Sequence, residues 1–179
     1  MENKINPWKA NLTNGLILGL IGIIYSLVVY FLDLSLNKTQ GYIFIVVQIG
    51  ILYYLVKSYR DNFLYGNITF GQAVGAGVII CLYYSVIIAV FTYILYAFID
   101  PDLVGKQLAY TEELLQKRNI PQEAIDVNMR VQKKLLIPEV IAPLSIAGNM
   151  FWGVIISMIT AIFVRREGNP LLDPVDSNI

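Results

Sequence analysis

Four stretches of the chain carry no charged side chain: residues 10–32, 39–56, 62–99 and 140–164. Crossing a hydrocarbon core of ~30 Å takes about 20 apolar residues at a rise of ~1.5 Å each, and every stretch approaches or exceeds that length. Lipid offers no partner to a backbone N–H or C=O, so each stretch must pair its own backbone groups, as a helix does. None keeps the polar face that a helix of a water-soluble bundle needs. The pattern predicts an all-α integral membrane four-helix bundle. Its spans are placed at about 12–32, 41–56, 70–99 and 143–164, in a single membrane domain over 1–179.

Local signals punctuate these runs. Asn6-Pro7 reads as an N-cap with proline at the first helical position, and Trp8 as an interfacial anchor. These mark a retained span rather than a cleaved leader. Tyr65-Gly66-Asn67 reads as a turn, and Thr69-x-x-Gln72 as a capping box opening the third span. Residues 100–139 differ in kind, holding 13 of the 26 charges. Asp100-Pro101 restarts a helix that runs to about Arg118, Asn119-Ile120-Pro121 breaks it, and a second helix covers about Pro121–Ile137. The expected result is an extramembrane helical hairpin between spans 3 and 4. Its second helix carries an apolar stripe of Ala124, Val127, Val131 and Leu135, expected to pack on the first helix rather than lie on the membrane. Pro138 and Pro143 bracket the start of the last span. Residues 167–179 lack periodicity and read as a mobile tail.

Helices in lipid gain nothing from hydrophobicity when they associate, so small residues that admit close approach are informative. The first span offers Gly15-x-x-x-Gly19 and Gly22-x-x-x-Ser26. The third carries Ala73, Gly77, Cys81, Ser85 and Ala89 on steps of four, and the fourth carries Ser145, Asn149, Gly153, Ser157 and Ala161. These seams are expected to pack on one another, with dimerisation through one of them as a competing use. Cys81 falls on a seam and reads as a small packing residue.

Composition then narrows the chemistry. Thirteen Lys/Arg balance thirteen Asp/Glu, so no net basic charge recruits nucleic acid. The absence of histidine removes Ser-His-Asp and Cys-His catalysis and His-ligated metals, and one cysteine precludes an intrachain disulfide. No Asp, Glu, Lys or Arg lies inside any span, unlike proton-coupled pumps and voltage sensors. Asp33, Asp100, Asp102 and Glu139 gather near one face, where capping and solvation account for them better than calcium binding. No catalytic residue, cofactor or metal site is expected. The deep polar residues Gln48, Tyr84 and Asn149 form a candidate cluster, read either as interhelical hydrogen-bonding groups or as the lining of a small pocket.

Tyr59-Arg60-Asp61 followed by Gly66-Asn67-Ile68-Thr69-Phe70-Gly71-Gln72-Ala73 is the most specific stretch in the chain. With Gly15-Leu16-Ile17-Leu18-Gly19 and Asp100-Pro101, it resembles the domain of unknown function numbered four-one-nine-nine, small four-span inner-membrane proteins mainly of Bacteroidota. The resemblance covers nearly the whole chain and implies a bacterial plasma membrane. It supplies no functional residues. Cations beside the span ends, weighted toward the first span, place both termini in the cytoplasm.

These readings describe a non-catalytic structural or interaction component of the membrane. Besides the lipid bilayer, its expected partners are another protein or a second copy, met through the 100–139 hairpin or a small-residue seam. The alternative is a carrier or binding protein for a small neutral solute or lipid, using Gln48, Tyr84 and Asn149.

Overall fold

The computed structural model describes residues 5–37 and 39–167. The tail assigned to 167–179 lies, Glu167 apart, outside the described residues. Six α-helices follow in order: α1 (Pro7–Phe31), α2 (Thr39–Phe63), α3 (Phe70–Ile94), α4 (Leu103–Lys117), α5 (Gln122–Leu135) and α6 (Pro138–Val164). A π-helical turn, Leu95–Ile99, prolongs α3, so that the third apolar segment is Phe70–Ile99. Four helices (α1, α2, α3 with its π turn, and α6) are long and apolar enough to cross a membrane. The chain is a multi-pass membrane protein with an all-α bundle.

The helices run past the apolar windows that announced them. α1 starts at Pro7 rather than near residue 12, α2 continues to Phe63 rather than 56, and α6 starts at Pro138 rather than 143. An uncharged window measures the hydrocarbon, whereas a helix can continue into water through Lys9, Lys57 or Arg60 at no penalty. Pro143 sits inside α6 and forfeits one i→i−4 hydrogen bond without ending the helix. Both local start signals hold: the Asn6 side chain accepts from the Trp8 N–H at 3.0 Å. The Thr69 and Gln72 side chains bond each other's backbone N–H at 3.3 and 3.0 Å.

α3 is the centre of the bundle, parallel to α1 and antiparallel to α6. A Cβ added to Gly15 would strike Tyr83, one on Gly19 would reach 2.5 Å from the Ile87 side chain, and one on Gly22 would reach 2.7 Å from Tyr84. On the other flank, a Cβ on Gly77 would lie 2.6 Å from Ser157 Oγ, and one on Gly153 would lie 2.7 Å from Cys81 Cβ. Real Cβ contacts do not come this close, so these glycines set how near the backbones approach. α2 closes the remaining side, with Leu52, Leu55, Val56 and Tyr59 buried.

Candidate functional site

At mid-bundle, Gln48 and Tyr84 are buried and Asn149 is half-buried. Tyr84 stacks on Phe44 with ring centroids 6.1 Å apart, and Phe44 in turn meets Tyr25 at 4.7 Å. Among the described residues no hydrogen bond joins Gln48, Tyr84 and Asn149. The seam serines spend their hydroxyls on their own helices: Ser85 donates to Leu82 O at 2.8 Å, Ser145 to Ala142 O at 2.7 Å and Ser157 to Gly153 O at 2.6 Å. A hydroxyl bonded within its own turn presents a small, smooth surface to the neighbouring helix, so contact across the seams is van der Waals packing. Tyr25 and Tyr83 reach out of the interior, donating to the backbone carbonyls of Gln40 at 2.6 Å and Trp8 at 3.2 Å. Trp152 is half exposed on the outer face of α6.

At the face where α1 starts and α6 ends, the most specific sequence stretch builds a clasp. Arg60 donates through Nη1 to the Val164 carbonyl at 2.9 Å and through Nε to Asp61 Oδ1 at 2.8 Å. Its guanidinium therefore caps the last turn of α6, where carbonyls lack helical partners and the helix dipole is negative. The Arg60 carbonyl accepts from Gly66 N–H at 3.2 Å, closing a turn in which Gly66 has φ +82°. That left-handed conformation is why glycine stands there. Ile68 then exchanges two backbone hydrogen bonds with Arg166, at 2.8 and 3.0 Å, and its side chain is buried. One turn thus holds the start of α3 and the end of α6 together. Sequence reading identified the turn and the capping box. It missed the clasp, because the partners of Arg60 and Ile68 lie about a hundred residues away and nothing local marks them.

At the opposite face, Asp100 organises the exit from α3. It accepts from Lys106 Nζ at 3.0 Å, from the Asp102 N–H at 3.1 Å and from Tyr30 at 3.4 Å. The Lys106 hydrogen bond holds the Asp100 carboxyl below the usual carboxylate range, and Asp100 raises Lys106 in return. Tyr96 donates to Gln107 Oε1 at 3.2 Å, anchoring α4 to the end of the third span. α4, the residues Ser35, Leu36, Asn37 and Gln40, and Gln132 of α5 line a half-open cavity of about 410 Å³. Its polar lining comes from Ser35, Asn37, Gln40, Gln107, Tyr110, Thr111, Arg118 and Gln132, with no carboxylate among the described residues.

The hairpin corrects one expectation. α5 packs inward through Ile125 and Met129, while Ala124, Val127, Val131 and Leu135, the stripe assigned to that contact, are exposed. α5 carries two apolar stripes on opposite sides, and periodicity cannot tell which one faces α4. Val127 and Val131 remain 53% and 51% exposed, on a helix outside the four apolar segments. Asp126 accepts from Gln122 Nε2 at 2.9 Å. Among the described residues there is no group of three or more Cys, Asp or Glu placed to hold a metal ion.

No curated protein and no solved structure matches the chain. One family model, described as Protein of unknown function (DUF4199), matches residues 13–166, a range that contains the clasp, both seams and the hairpin. On that match the chain belongs to the DUF4199 family.

Proposed function

We propose that this protein is a non-catalytic component of the bacterial inner membrane, whose four-helix bundle holds the α4–α5 pair against the membrane as a contact surface for protein. The observation that carries this reading is the outer stripe of α5. Val127 and Val131 are half exposed although α5 stands outside the apolar spans and already buries a different face against α4. Leaving apolar side chains in water costs free energy that a partner's surface would recover. The residues edging the stripe mix both charge signs, which suits protein better than an anionic lipid surface. The even number of spans, with Lys57, Arg60, Arg165 and Arg166 on the termini side, supports cytoplasmic termini.

Photo-crosslinking from position 131 in native membranes tests the surface. A discrete crosslinked protein species is expected, and the exposed-site double variant Val127→Asp/Val131→Asp, probed from position 124, should abolish it. Crosslinking only to lipid, or a species indifferent to the double variant, would overturn the reading.

A second reading rests on the cavity between α4 and the α1–α2 connection. Its amides, hydroxyls and the Arg118 guanidinium suit a small polar ligand with a negative group, such as a lipid headgroup or a free solute. Thermal stabilisation of the wild type by glycerol phosphate, lost in Arg118→Ala, would support it; equal response in both would dismiss it.

A further inference from the structure

The charges beside the α5 stripe select an occupant. Ala124, Val127 and Val131 follow steps of three and four along α5, which is a helical seam. Glu123 and Arg130 lie along one edge of that seam, and Pro121 and Asn128 along the other. Glu123 and Arg130 are both exposed, and neither has an ion-pair partner among the described residues. The acid sits in the first half of the helix and the base in the second. A helix with that arrangement is complementary to itself when turned end for end.

We propose that α5 pairs antiparallel with α5 of a second copy of this chain, an inference that rests on the contact-surface reading and names its partner. The register follows from side-chain chemistry. Ala124 meets Val127 of the second copy, and two-fold symmetry repeats the layer. Glu123 then lies beside Arg130 of the second copy, twice, along the charged edge, and the opposite edge is uncharged. Slipping by one heptad sets Ala124 against Lys134 and brings the two Arg130 side chains together, so the charged edge rejects that register.

The experiment uses the full chain in lipid nanodiscs or detergent, with its mass measured over a dilution series. A dimer is expected. Glu123→Arg replaces two attractions by two repulsions and should weaken it about tenfold or more. Glu123→Arg/Arg130→Glu should restore it. All of these positions are exposed, so folding should not be affected. Cys81, the sole cysteine, is buried, which permits a second measurement without background. Differently tagged Ala124→Cys and Val127→Cys chains, mixed and mildly oxidised, should form a disulfide between unlike chains in preference to like ones. A monomer at every concentration, or a dimer indifferent to Glu123→Arg, overturns the pairing. Should the chain stay monomeric while Val127→Asp/Val131→Asp still removes a crosslink to another protein, the second copy is wrong and the contact-surface reading stands. Loss of neither overturns both.

Discussion

Leu16, Leu20, Ile24 and Val28 stand exposed in a line along α1, and Val127 and Val131 stand equally exposed on α5. The accessible areas are similar, but the solvents are not. α1 belongs to an uncharged run long enough to sit in hydrocarbon, where an outward Leu costs nothing and an outward charge costs much. α5 carries Glu123, Asp126, Arg130, Lys133 and Lys134 and stands outside the spans, so its outward valines carry a cost wherever water meets them. The interiors differ in the opposite sense. The bundle is held by glycines and self-satisfied serines that let backbones touch, whereas the hairpin is held by large side chains, Ile125 and Met129. Exposure becomes informative only once the medium is known.

The largest expected effect is a break on the bundle side. Gly153→Leu forces a side chain into Cys81 where even a Cβ has no room. Overpacking of this kind costs about 1–3 kcal/mol or more, read as a lower unfolding temperature in detergent. The equivalent enlargement on the hairpin, Val127→Leu, should change stability by less than ~0.5 kcal/mol. Equal responses would show that the two regions pack alike.

Next in size is the clasp. Arg60→Met keeps much of the stem and removes the charged donor from the Val164 carbonyl, a loss of about 1–3 kcal/mol. Hydrogen exchange at the last turn of α6 should rise while that of α5 stays unchanged.

A smaller effect sharpens the difference in medium, because the hairpin junction should respond to pH. The Asp100 carboxyl is lowered, chiefly by Lys106, so its contribution is present above the ordinary carboxylate value of about 3.9 and is lost as pH falls through the lowered one. Lys106 is raised, so its share is present below the ordinary lysine value of about 10.4 and is lost as pH rises through the raised one. Proteolysis within 100–139 should therefore be slowest between those limits, and Asp100→Asn should flatten the acid side of the profile.

The smallest is Thr160→Val. Thr160 Oγ1 is buried with no hydrogen-bond partner among the described residues, so removing it should raise stability, by about 1 kcal/mol at most. A loss of stability would mean that the hydroxyl finds a partner.

What sequence reading reached was decided by the range of the interaction. Asn6 and Thr69 cap helices through partners two and three residues away, so type and spacing sufficed. Uncharged runs reported the hydrocarbon faithfully and the helix ends poorly, since Lys9, Lys57 and Pro143 all lie within helices. The small residues were visible, and their opposite numbers were not: steps of four mark Gly15 and Gly77 without naming Tyr83 or Ser157. The cavity beside Arg118 draws on three separate parts of the chain, namely Ser35, Leu36, Asn37 and Gln40, then α4, then Gln132, and no one of them hints at the others.

The hydrogen bond from Arg60 to Val164 spans 104 residues, and the partner of Ile68 is similarly remote. During synthesis the first three spans must therefore wait, with the glycine and cysteine groove of α3 facing lipid and the Arg60 guanidinium answered by Asp61 alone. Only the arrival of α6 completes both at once. Assembly of this protein is accordingly a late event that closes from the carboxyl-terminal side, and a chain cut short before Val164 would leave a three-helix remnant with no latch.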